Sequence, residues 1–566
     1  MNLKLIIVVP FVITCSHGLA QTEHINPFNY TTTKQMTVRK GAVVSAHPLA
    51  SQAGLMILQQ GGNAIDAAIA TQLALAVVYP GAGNLGGGGF LVGRLKKGQT
   101  LAIDYREKAP GAAFRNMYLD SSGTVIKGLS EKGQLAGGVP GTVAGLFTSH
   151  KYGKLPFEQL IAPAIMLAEK GFVITEREAS SLNNMKDTFL KYNNIPPVFV
   201  KDIPWKAGDT LIQQDLAKTL TRIKESGKNG FYGGETARLI VAQMKKANGI
   251  ISEDDLKNYQ AVERNAVIFP YKKYSMITMP LPASGGVILP QLMKTVEDRK
   301  LGKMGFLSPE AVQLMVEAER RSYADRSEFL GDQDFVKVPV KTLTSEEYVG
   351  ERMKDFVPGV AGNSEKLGHG TVNAETEETT HLSVADKWGN VVSVTTTLNG
   401  GYGSATVVEG AGFLLNNEMD DFSVKPGEPN MYGALGNEAN AIYPGKRMLS
   451  SMTPTIVMKK RKPYIVVGTP GGTTITTSVF QSLVNILEFD LSAADAVNQP
   501  KFHHQWKPDL IYVETDFPPA TIEALEKMGY KIEKRGPIGR TEMILFKGRK
   551  MEAIGDKRGD DSVAGY

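Results

Sequence analysis

The chain of 566 residues has one cysteine, Cys15. It sits in an N-terminal stretch that reads as an export signal. Lys4 supplies the positive start, Leu5 to Ile13 the apolar part, and Gly18-Leu19-Ala20 a small-residue cleavage site. A cut after Ala20 makes Gln21 the new end and leaves no cysteine. Disulfides, thiol nucleophiles and cysteine-bound metals are then excluded. A lipid anchor on Cys15 is the minor alternative, disfavoured by the bulky Thr14 before it. Long apolar runs are missing too. After the signal, no window reaches the ~18 apolar residues of a membrane helix. Ala64 to Tyr79 comes nearest and is broken by Asp66, Thr71 and Gln72. The expectation is an exported soluble protein, periplasmic or secreted, with no integral membrane segment. An excess of one charge is also missing. Against 63 Lys and Arg stand 58 Asp and Glu, with no basic run to follow a phosphate backbone, so nucleic acid is not an expected partner.

Several catalytic signatures are absent. There is no His-Glu-x-x-His and no Gly-x-Ser-x-Gly, and the glycine run Gly86 to Gly89 lacks the Gly-Lys-Ser/Thr of a phosphate loop. That run reads as close backbone packing beside a strand. His503 and His504 are adjacent, so in a strand their rings point to opposite faces and share no metal.

What is present is an alternation of helix and strand signals. Helix periodicity covers Pro48 to Gln60; Asn63 can cap a second helix over Ala64 to Val78. Strands are predicted over Phe90 to Leu95 and Leu101 to Tyr105. Pro156 to Met353 is mostly helical in pattern, including Glu158–Glu169 and Glu310–Leu330. Gly359 to Glu378 is polar and aperiodic, and reads as an exposed flexible segment. The character then changes to β. His381 to Val384 and Val391 to Thr397 alternate about the turn Asp386-Lys387-Trp388-Gly389-Asn390. A hairpin symmetric about Trp388 pairs Thr379 with Thr397. Phe422 to Met448, which contains Tyr432, has no convincing element. A loop of that length reads as a functional lid. Pro463 to Val467 is strand-like and runs through Gly468-Thr469-Pro470-Gly471-Gly472 into a helix ending at Ile486, with Thr473 or Thr474 as its cap.

At the border of flexible segment and hairpin stands Glu378-Thr379-Thr380-His381. A threonine hydroxyl needs a base to become a nucleophile. A cut before Thr379 would supply one, since a free α-amino group has a pKa of ~7.7–8.0. Gly471-Gly472 could offer backbone N–H groups to an oxyanion.

Thr379 to Asp386, Leu415 to Phe422, Leu449 to Thr455 and Gly468 to Gly472, with Gly61 to Ala67, Gly86 to Phe90, Asp104 to Pro110 and Gly138 to Thr142, together resemble γ-glutamyltranspeptidase. The likeness runs from about Gly41 to Tyr566. It implies an α/β fold, the αββα four-layer sandwich of N-terminal-nucleophile hydrolases, made as one precursor. Residues 1–20 would be signal, 21–378 a large subunit and 379–566 a small subunit, associated as a heterodimer after self-cleavage between Glu378 and Thr379. The resemblance makes Thr379 the nucleophile, Thr397 its hydroxyl partner, and Gly471 and Gly472 the oxyanion site. Arg106, Ser450 and Ser451 would hold a substrate α-carboxylate; Asn399, Glu418 and Asp421 would accept from its α-ammonium; Tyr432 would lie in the lid. The implied substrates are glutathione and other γ-glutamyl compounds, the implied acceptors water, amino acids and peptides, and no cofactor is required. Met448 and Thr453 depart from the usual Pro and Ser, and Glu418 replaces a Gln of some members. Two alternatives stay open: a related acylase of glutaryl β-lactams or hydrolase of poly-γ-glutamate, and an inactive exported binding protein.

Overall fold

The computed structural model describes residues 25–367 and 379–566. The signal segment with Cys15, and Glu378 at the expected cleavage site, lie outside the described residues.

Two seven-stranded sheets form the centre. The first runs in the order Ser562–Gly565, Ala42–Ser45, Thr379–Ala385, Val391–Thr397, Gly88–Arg94, Thr100–Asp104 and Val262–Glu263. The second runs Gln35–Val38, Lys550–Ile554, Glu542–Lys547, Lys462–Gly468, Thr455–Lys459, Tyr274–Thr278 and Val267–Tyr271. An apolar layer that includes Val44, Phe90, Val92, Ile456, Val466 and Ile544 lies between them. Helices cover the outer faces. Pro48–Gln59 and Ala64–Val78 pack on the first sheet with Phe157–Lys170 behind Ala64–Val78, and Gly285–Glu297 and Thr474–Leu487 on the second with Pro309–Phe329 against Gly285–Glu297. This is the four-layer αββα sandwich expected. Strands from before and after position 378 are joined in both sheets, so the two expected subunits share both sheets.

Local chemistry explains the elements that matter most. Asn63 caps Ala64–Val78 through a full capping box with Asp66. All 15 residues of that helix are buried, as an apolar helix without a polar face must be. The hairpin forms about Asp386, whose Oδ1 accepts from the Trp388 and Asn390 N–H groups at 2.8 and 3.0 Å. Its register pairs Thr379 with Thr397, as the spacing predicts. The two-residue period then sorts the side chains. Leu382, Val384, Val392 and Val394 join the helix-side core, while Ala385 and Val391 join the inter-sheet layer. Thr379, His381, Ser383, Ser393, Thr395 and Thr397 are in phase with the latter pair. Ser383 Oγ donates across to the Glu542 carbonyl and Ser393 Oγ to that of Val467.

Three expectations need correction. The mostly helical middle also contains the hairpin Val267–Tyr271 and Tyr274–Thr278, which closes one edge of the second sheet. Pro270 masked it, yet an edge strand tolerates proline because one side needs no N–H. Neither Thr473 nor Thr474 caps the helix Thr474–Leu487 by its side chain. Thr473 Oγ1 donates instead to Gln505 Oε1 and Thr474 Oγ1 to the Gly471 carbonyl. The described part of the segment from Gly359 is not wholly exposed: Ser364 is buried, with its N–H on Asp509. The glycine run packs closely, as read from sequence. A Cβ at Gly86 or Gly87 would sit 2.2 Å from the Leu414 carbonyl oxygen or 2.1 Å from that of Thr397.

Candidate active site

Thr379 begins its strand at the rim of the inter-sheet layer and is 5% exposed. Its Oγ1 accepts the Gly471 N–H at 3.0 Å. Thr397 lies directly opposite, and its Oγ1 accepts the Asn399 N–H at 2.7 Å. Asn399 holds a positive φ of 75°, a strained region that asparagine tolerates better than most residues, and its amide donates to the Asn417 carbonyl. His381 shares the face of Thr379 but is otherwise engaged. Its ring bonds Thr395 Oγ1 at 2.9 Å and Ser383 Oγ at 3.1 Å, and burial pushes it down to about 3. It is a neutral structural residue, not a base.

Gly471 and Gly472 link strand Lys462–Gly468 to helix Thr474–Leu487 with φ of 132° and 45°. Glycine is required in such backbone. At 471 a Cβ would also meet Thr474 Oγ1 at 2.5 Å. The turn sets a backbone donor beside the Thr379 hydroxyl.

A small cavity of about 20 Å³ opens on one side of Thr379. It brings together Thr379, Thr397, Asn399, Glu418, Asp421, Tyr432, Ser450, Ser451, Gly472 and Arg106, drawn from both expected subunits. Gly471 and Thr379 also border a second, larger cavity. Arg106 is 1% exposed. It pairs with Glu418 at 2.5 Å and with Asp421, and its Nε donates to the Met448 carbonyl. The groups expected to hold opposite ends of a substrate thus hold each other. Desolvation favours the neutral forms of these acids. Burial raises Glu107 to about 8 and pushes Glu418 and Asp421 upward, opposed by Arg106. The three acids in turn hold Arg106 firmly charged against its own desolvation. Ser450 Oγ accepts the Met452 N–H, and Ser451 Oγ accepts from Arg326 at 3.3 Å.

Phe422 to Met448 contains only the short 3-10 turn Glu438–Asn440 and is tied down at its middle. Asn430 donates to Asp421, the Met431 N–H to Asp420, and Gln505 to the Tyr432 and Gly433 carbonyls. Tyr432 is buried over the small cavity.

Arg326 and Asn430, which the sequence does not single out, line the cavity together with Thr473, read from sequence only as a helix cap, and Glu107 and Gln505 support it. Arg326 lies in the last turns of Pro309–Phe329, where a basic residue reads as ordinary helix-end charge. Glu107 carried a signal, a carboxylate beside Arg106.

Comparison with known proteins agrees with this architecture. The sequence profile of gamma-glutamyltranspeptidase matches residues 50–566. A glutathione hydrolase proenzyme of Escherichia coli is 45% identical over 534 residues, covering 93% of this chain and 92% of the relative. The crystal structure of a cephalosporin acylase from Bacillus halodurans superposes with a TM-score of 0.82 at 26% identity, over 96% of this chain and 99% of that one. That of Helicobacter pylori γ-glutamyltranspeptidase gives 0.56 at 45% identity, over 57% and 94%. With this coverage, and with the strand headed by Thr379, the glycine turn and the charged pocket joined at one point, the chain belongs to the γ-glutamyltranspeptidase family.

Proposed function

We propose that this protein is an exported γ-glutamyltransferase and glutathione hydrolase that matures by cutting itself between Glu378 and Thr379. The observation that carries the reading is the position of Thr379. It heads a strand with a backbone N–H on its hydroxyl, beside a pocket whose buried cation and acids match an α-amino acid head group.

In maturation, Thr379 Oγ attacks the Glu378 carbonyl and displaces the Thr379 nitrogen, which takes up the hydroxyl proton. Water opens the resulting ester and leaves fragments 21–378 and 379–566, a heterodimer held by the shared sheets. The freed α-amino group, with a pKa near ~7.7–8.0, then takes the Oγ proton as Oγ attacks the γ-carbonyl of a donor. Gly471 and Gly472 face the developing oxyanion, a contribution of ~3–4 kcal/mol per donor in comparable sites. The leaving amine departs with the proton, and the γ-glutamyl ester on Thr379 passes to water or to the amine of an amino acid or peptide. Arg106, Ser450 and Ser451 hold the donor α-carboxylate; Asn399, Glu418 and Asp421 take its α-ammonium. Thr397 keeps the nucleophile's neighbourhood polar and ordered. The scheme uses no cofactor.

The resemblance to a cephalosporin acylase supports a second reading, the hydrolysis of glutaryl amides. A glutaryl group lacks the ammonium, so it would draw Arg106 away from Glu418 and Asp421 and leave buried acids unmatched, which is costly. Steady-state rates on γ-glutamyl p-nitroanilide and glutaryl p-nitroanilide separate the two; preference for the glutaryl compound would reverse the assignment. N-terminal sequencing of the purified protein tests maturation. A single uncut chain would favour a non-catalytic binding protein. Export is read from residues 1–20; among the described residues no helix is long and apolar enough to cross a membrane.

A further inference from the structure

Gln505 has no part in the scheme above, yet its amide joins segments that the scheme needs. It is buried and follows the pair His503-His504. Its Nε2 faces the carbonyls of Tyr432, Gly433 and Lys507 at 3.3, 3.2 and 3.3 Å. An oxygen in that place would meet three acceptors, so the nitrogen belongs there and Oε1 is the acceptor of the pair. Oε1 takes the Thr473 hydroxyl at 2.7 Å and lies 3.0 Å from His503 Nε2. Burial pushes His503 down to about 3, so its ring is neutral and carries one N–H. That proton belongs on Nε2, facing Oε1, which leaves Nδ1 as the acceptor toward Thr477 Oγ1 at 2.9 Å. Thr473 is pinned twice: its hydroxyl on Gln505, and its carbonyl under the Tyr323 hydroxyl. Both pins stand directly after Gly471 and Gly472, whose positive φ marks backbone with much freedom to lose. Gly471 keeps its N–H on Thr379 Oγ1 at 3.0 Å. At the other end of the amide, two of the three carbonyls belong to the loop that carries Tyr432 over the small cavity.

We infer that Gln505 is a positioning residue that couples the lid loop to the oxyanion turn, a role that rests on the γ-glutamyl-transfer reading. An amide is planar, so its donors and its acceptor cannot turn independently. With the loop seated, Tyr432 and Gly433 orient the amide, the amide orients Thr473, and the turn keeps its N–H groups aimed where the oxyanion develops. With the loop lifted, the amide loses that orientation and the turn loses a pin. Oxyanion stabilisation is then greatest over a short γ-glutamyl donor that lets the loop seat. A donor too long for the seated loop is turned over slowly even when its head group fits the charged pocket.

The test uses the full-length enzyme, with rates taken per mole of cleaved enzyme so that slow maturation does not count as slow turnover. γ-Glutamyl p-nitroanilide reports kcat and KM, and glutathione against a long poly-γ-glutamate chain reports the loop. Thr473→Val removes the hydroxyl and touches none of the loop carbonyls. It should lower kcat on the anilide about tenfold with KM unchanged, a part of the ~10²–10³-fold that loss of a whole oxyanion donor costs. It should also raise the preference for the polymer over glutathione about threefold, because it takes from glutathione an advantage that the polymer lacks. Thr473→Ser should recover both. Gln505→Met, of similar length, should show both changes, and the double variant should have a kcat no lower than Gln505→Met alone, since the two substitutions break one link. An unchanged polymer preference in Thr473→Val would mean two separate supports and overturns the coupling, as does an additive loss of kcat in the double variant. A wild-type enzyme inert toward the anilide overturns instead the γ-glutamyl reading.

Discussion

On the side of Thr379 where bonds would be made, the wall is mostly backbone: a hairpin in register, the Gly471 N–H, and glycines with positive φ. On the side where a substrate would be recognised, the wall is charge: Arg106 against Glu418 and Asp421, under the loop that carries Tyr432. Backbone geometry is set locally and changes little with pH. A buried charge cluster depends on every segment that excludes water from it. The two sides should therefore fail differently when perturbed.

The largest separation is expected from Thr379→Ala. It should remain one chain and lose γ-glutamyl turnover by at least ~10⁴-fold, as removal of a nucleophile does elsewhere. Gel mobility and anilide release report the two effects; splitting at the same bond in the pure variant would rule out self-cleavage by Thr379. Next comes Arg106→Lys. It keeps the charge and loses the planar fork, at ~2–5 kcal/mol for a desolvated charged contact, or roughly 30-fold or more in kcat/KM. Self-cleavage should survive, because the α-carboxylate belongs to the substrate. Wild-type kcat/KM would take Arg106 out of the recognition side; loss of self-cleavage would show that the sides are not separable.

The third test is pH. Glu107, Glu418 and Asp421 are all raised by burial, Glu107 to about 8. The fold therefore holds protons that the unfolded chain has already lost above the ordinary carboxylate range. Raising pH toward about 8 ionises Glu107 and adds a negative charge to the cluster. This lowers stability and strengthens the hold on an ammonium, by at most about tenfold per pH unit for each proton. The inhibition constant of L-glutamate should fall over that window and the thermal midpoint with it. A flat inhibition profile would mean that the acids are ionised throughout. The smallest effect is expected from Tyr432→Ala. Opening the loop should raise the preference for a long poly-γ-glutamate chain over glutathione about threefold, roughly 0.7 kcal/mol. An unaltered preference would make the loop a fixed wall and not a lid.

Legibility in the sequence follows the same division. The Thr379–Thr397 register could be read from a turn and a two-residue period, both local. The capping of Ala64–Val78 by Asn63 was legible for the same reason. The hairpin Val267–Tyr271 and Tyr274–Thr278 was not, because Pro270 hides an alternation that only its place at a sheet edge makes tolerable. Thr473 looked like a cap because caps are assigned from neighbours in sequence, whereas Gln505, far along the chain, takes its hydroxyl. Arg106, Glu418 and Asp421 are legible only through the family resemblance. Arg326 is not legible in the sequence, since nothing near it in the chain says that its helix ends beside Ser451.

The amino-acid sequence by itself determined the elements whose causes lie within a few residues: capped helices, the alternating hairpin, the glycine turn and the family pattern that joins them. Tertiary structure alone decided which charges meet and which keep their protons. Arg106 and Glu418 are separated by hundreds of residues, and their pairing exists only because strands from both sides of position 378 interleave. Coulombic attraction and desolvation act through space, so the chemistry of the pocket follows from what the fold packs around these residues and not from their order in the chain.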